Sequence, residues 1–81
     1  MMDNEIRTPI FYVTVQRGHQ TQLALGPFDS KDEAQQWMDE AQRVGKDRDP
    51  STAFDSWGIT KATVREGRST PRGRFNEALG L

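Results

Sequence analysis

Cysteine is absent from this 81-residue chain and histidine occurs once. The first absence removes disulfide scaffolds and thiolate metal sites, and with them the usual staple of a small secreted domain, so a reducing, cytoplasmic setting is expected. The second leaves His19 as the sole imidazole, in a turn sequence with no partner at ligand or triad spacing. No apolar run approaches the roughly 18 residues that a membrane span needs. The N-terminal MMDNEIRTPIF places acids before its first apolar residues and has no leader-like apolar core, so no secretory signal and no membrane association are expected. Asp47, Asp49 and Asp55 lack the ligand order of a calcium loop, and no metal or cofactor is expected. With nucleophile, base and metal ligands all missing as a set, an enzyme is disfavoured.

What is present is enough for one small domain: 33% hydrophobic and 28% charged residues, with a net charge of −1. That charge is unevenly spread. Residues 1–64 carry seven Lys/Arg against ten Asp/Glu, whereas residues 65–81 carry four Arg against two Glu. An acidic body (1–64) is therefore followed by a basic, Gly- and Arg-containing tail (65–81) with few apolar side chains, expected to be flexible on its own.

Within the body, Ile10 to Gln16 alternates Phe11, Val13 and Val15 against Tyr12, Thr14 and Gln16, the period-two pattern of a half-buried strand. Gly18 and His19 supply a turn, and Thr21 to Leu25 forms the second strand of a hairpin, with Leu23 and Leu25 on one face. Gly26-Pro27 is expected to end that strand. Ser30 followed by Glu33 is a capping box, and Ala34, Trp37, Met38, Ala41 and Val44 form one apolar stripe, predicting a helix over about residues 30–44 with Gly45 as its C-terminal stop. Pro50 opens a short helical turn, and Ile59 to Val64 reads as a third strand. These pieces predict an α+β fold of order β-β-α-β: a three-stranded antiparallel sheet, first strand central, with one main helix on one face. Phe11, Val13, Val15, Leu23 and Leu25 are expected to meet the helix.

Three features are candidates for recognition. Between Asp29 and Glu40 five acids face one Lys31, and Asp32, Gln36, Asp39 and Glu40 share the outer helical face; a solvated surface or an acidic docking patch both explain them. Phe54 and Trp57 lie in or beside irregular structure, where core packing and display to a partner are both open, and Trp57 is taken as a candidate anchor. In the tail, Arg65, Arg68, Arg72 and Arg74 with Phe75 resemble flexible segments that contact phosphates and stack on bases, or fold onto a protein.

Tyr12-Val13-Thr14-Val15, Gly26-Pro27-Phe28-Asp29, Asp49-Pro50 and Trp57-Gly58 together resemble a class of small β-β-α-β accessory proteins carried by bacterial phages, plasmids and integrated elements, over about residues 10–62. The resemblance implies the company of anti-defence proteins, anti-CRISPR inhibitors among them. The expected function is thus a non-enzymatic inhibitor, monomeric or homodimeric, that binds a host nucleic-acid-processing complex such as a CRISPR effector in the bacterial cytoplasm. The alternative is a small nucleic-acid-associated regulatory protein that works through the arginine tail.

Overall fold

The computed structural model describes the backbone of residues 7–65 and 70–81 and the side chains of 9–63 and 70–81. Strand β1 (Arg7–Arg17) turns at Gly18-His19 into β2 (Gln20–Phe28). Gly18 has φ 61°, a conformation that a two-residue hairpin turn demands and glycine supplies without strain. Two helices follow, α1 (Lys31–Gln36) and α2 (Met38–Arg48), then a 3-10 turn at Pro50–Phe54 and strand β3 (Ser56–Arg65). A second 3-10 turn, Glu77–Leu79, closes the chain. The sheet order is β2-β1-β3, all antiparallel, with the helices on one face. The α+β class, the central β1 and the broad β-β-α-β order are as the sequence pattern predicted.

Three details differ. The predicted helix is interrupted at Trp37, whose N–H is shared between the carbonyls of Glu33 (3.3 Å) and Ala34 (3.2 Å), tightening the turn as its ring stacks on Phe28 at 6.3 Å between centroids. Its start is as expected, with Ser30 Oγ accepting the Glu33 N–H at 3.0 Å. The helical run also continues to Arg48, so Gly45 is inside α2 rather than its stop. A β-carbon at Gly45 would fall 2.7 Å from Cη2 of Trp57, so the glycine makes room for the indole.

The third difference is in β2. Val13 pairs with Leu25 and Thr14 with Leu23, so Ala24 is an extra residue opposite β1. Paired residues share a face, and this bulge therefore turns Leu23 away from the helices while Leu25 stays beneath them. The strand also runs through Gly26-Pro27 to Phe28 instead of ending there. The core comprises Val13, Val15, Ala24, Leu25, Phe28, Ala34, Ala41, Val44 and Phe75, with Phe11, Trp37, Met38, Trp57, Ile59 and Leu79 packed on its margin.

Phe75 lies in the tail, and its place in the core corrects the expectation of a free terminal segment for its second half. The N–H groups of Gly73, Arg74 and Phe75 donate to the carbonyls of Gly26 (3.1 Å), Leu23 (2.8 Å) and Ala24 (2.8 Å). The Asn76 side chain accepts from the Gly26 N–H at 3.0 Å and donates to the Gly26 carbonyl. Residues 70–81 thus form a strap across the outer edge of β2. On the far face Tyr12, only 2% exposed, donates from its hydroxyl to the Pro71 carbonyl at 2.6 Å, and burial raises its pKa. Residues 66–69, including Arg68, lie outside the described residues.

The Gly45 contact sets two effects against each other. Alanine gains about 1 kcal/mol of helix propensity over glycine, but its methyl group must displace a large indole held by a hydrogen bond from Nε1 to the Thr52 carbonyl at 3.1 Å. Overpacking of this kind costs about 1–3 kcal/mol, so Gly45→Ala is expected to lower the urea midpoint despite its better propensity. A higher midpoint would show that the indole swings aside freely.

Candidate protein-binding face

The Ser30 N-cap fixes the start of α1, and the burial of Ala34, Ala41 and Val44 fixes which sides of α1 and α2 face the sheet. Asp32, Gln36, Asp39 and Glu40 are consequently all exposed, together with Asp29 and Glu33. The interruption at Trp37 falls between Gln36 and Asp39 without burying any of them. Glu40 is partly neutralised by Arg43, whose Nη2 lies 2.7 Å from its Oε2. Among the described residues, no ion pair involves Asp32 or Asp39. These acids can act at a distance on a basic partner, since exposed charges steer encounter more than they add to affinity.

Trp57 does not join this face. It is half-buried on the margin of the core, with its indole under Gly45 on the inner side of α2. The aromatic residue on display is Phe54, 92% exposed at the end of the 3-10 turn. Nothing in the local sequence separates the two rings: which one packs inward depends on the space left by Gly45, a contact twelve residues away from Trp57.

Of the tail arginines, Arg72 and Arg74 have described side chains, and the two make separate contacts rather than a shared patch. Arg72 donates to the Leu81 carbonyl. Arg74 reaches Asp49 at 3.4 Å and Gln22 at 3.2 Å, with its guanidinium 5.0 Å above the Phe75 ring. Phe75 is 4% exposed and is unavailable to stack on a base. Arg65 lies at the end of β3.

Arg74 belongs to a polar chain that the sequence reading did not anticipate. Arg17 forms two bonds to Asp55, 2.9 Å from Nε and 2.8 Å from Nη2, and Nη2 also donates to Ser51 Oγ at 2.5 Å. Ser51 in turn donates to Asp49 at 2.6 Å. Arg17, Asp49, Asp55 and Arg74 line a cleft of about 60 Å³, too small for more than a few waters. A more open groove of about 410 Å³, lined by Phe28, Glu33, Trp37 and Arg72, lies between α1 and the strap. Among the described residues no cluster of three His, Cys, Asp or Glu is placed to hold a metal. His19 is exposed in the hairpin turn.

The Ser51 hydrogen bond, followed by that of Arg74, holds the Asp49 carboxylate below its ordinary pKa of 3.8. Because the folded value is the lower one, Asp49 stabilises the fold above its unfolded pKa, and that contribution disappears as pH falls through the folded value. Asp49→Asn is expected to flatten the acid limb of thermal unfolding below about pH 4. An unchanged acid limb would remove Asp49 from that role.

No protein-family model, curated protein or solved structure matches the chain. Among the described residues no helix is long and apolar enough to cross a membrane.

Proposed function

We propose that this chain is a non-enzymatic protein-binding module whose acidic helical face docks on a basic surface of a host nucleic-acid-processing complex. In this role it is an inhibitor carried by a phage or other mobile element, and a CRISPR effector is the partner class of choice. The observation that carries the reading is the exposed row Asp32, Gln36, Asp39 and Glu40 on two helices pinned to the sheet from below. A nucleic-acid-binding groove presents the positive field such a row complements, and occupying it excludes the nucleic acid.

The reading is tested with a purified effector complex and the triple reversal Asp32→Lys, Asp39→Lys and Glu40→Lys. Association of the parent chain should slow with added salt, and the triple variant should associate about tenfold or more slowly at low salt. Equal association rates for parent and variant would discard this face.

A further inference from the structure

The chain treats the two edges of its sheet differently. On the β2 side the strap supplies three backbone donors and the Asn76 amide, covering that edge from Leu23 to Gly26. On the other side β3 pairs with β1 over ten successive residues without a register shift, from Ser56 opposite Gln16 to Arg65 opposite Arg7. Among the described residues no backbone hydrogen bond from outside the sheet reaches β3, and none of residues 56–63 is buried. Natural edge strands are usually blunted by proline, bulges, short length or repeated charge. This one has no proline and no bulge, and Lys61 is the sole charge between Ser56 and Thr63.

We propose that the outer edge of β3 is a self-association surface, on which a second copy of this chain adds its own β3 antiparallel to make one continuous six-stranded sheet. A two-fold axis normal to the sheet closes such a pair and uses up both β3 edges, while the strap covers the middle of each β2. With the axis at Thr60, Thr60 faces its own copy, Ile59 faces Lys61, and Trp57 faces Thr63. Threonine pairs and aliphatic-to-lysine-stem contacts are favourable opposite neighbours, whereas an axis one residue further on would set Lys61 against Lys61. Phe54, two residues upstream of β3, then stands where the incoming strand ends, which accounts for an otherwise isolated phenylalanine at 92% exposure. Strand pairing with one ring at each end is a small interface, so the dimer is weak.

Sedimentation velocity at low ionic strength, over the micromolar to millimolar range, should show the mass rising from one chain to two. Amide exchange of β3 should slow over the same concentrations while that of β2 does not change. Thr60→Lys, an exposed position, should move the dimerisation midpoint to roughly fivefold higher concentration by setting two ammonium groups opposite each other. Asp39→Lys, on the helical face, should leave the midpoint where it is. A chain that stays monomeric throughout overturns the proposal, as does a dimer whose β3 exchange is independent of concentration or that ignores Thr60→Lys. The exchange measurement on the unaltered chain decides the matter even if that variant folds poorly.

Discussion

Phe75→Ala is expected to destabilise the protein by about 3–5 kcal/mol, the range for deleting a buried phenylalanine, although the residue belongs to a segment whose composition is that of a solvated tail. The ring is 4% exposed and sits in the same cluster as Leu25, Phe28 and Val44. Its backbone N–H is bonded to Ala24, so the ring cannot withdraw without breaking the edge contact. Small domains have about 5–15 kcal/mol in total, so the variant should be close to unfolding at moderate temperature. There is a ceiling on the loss: once the strap detaches, no further cost can accrue from it. Urea unfolding checks the value, with Arg72→Ala as the contrast, expected within about 1 kcal/mol of the parent because an exposed side chain contributes little. A Phe75→Ala midpoint equal to the parent's would mean that the core closes without the strap.

The hairpin, the central strand and the start of the helix were readable because each has a local cause. Alternation in Ile10–Gln16, a glycine at the turn and a hydroxyl at the N-cap act within a few residues. The Ala24 bulge has no such mark, since Leu23 and Leu25 alternate as in any regular strand and only the pairing with Val13 and Thr14 shows the extra residue. Trp37 fits the apolar stripe of an unbroken helix, and its interruption arises from stacking on a ring nine residues upstream. The strap was hidden for the same reason on a larger scale. Its apolar content is low because it is held largely by backbone hydrogen bonds to an edge some fifty residues earlier, and backbone groups leave no trace in composition. As for the candidate site, the acidic row was legible from helical spacing alone. Which of Trp57 and Phe54 packs inward, and the polar chain from Arg17 to Arg74, depended on contacts across elements.

Gly73→Ala is the second large effect, at about 2–3 kcal/mol, and its cause is different. A β-carbon at residue 73 would overlap Cα and N of Leu25 and lie 2.6 Å from Oδ1 of Asn76. Leu25 is fully buried and paired with Val13, so the obstacle is backbone that cannot yield as a flexible side chain can. The strap must therefore lift away, which also withdraws Asn76 from the N–H and carbonyl of Gly26. If Gly73→Ala and Phe75→Ala both act by releasing the same segment, their effects cannot add. The double variant should lie close to the worse of the two single variants, with a coupling free energy of about 1–3 kcal/mol. Amide exchange should report the same event as loss of protection at Arg74 and Phe75, the donors to Leu23 and Ala24, while Val13 and Val15 in the central strand keep theirs longest. Strict additivity of the two substitutions would show that Gly73 and Phe75 stabilise the fold independently and that the strap does not dock as a unit.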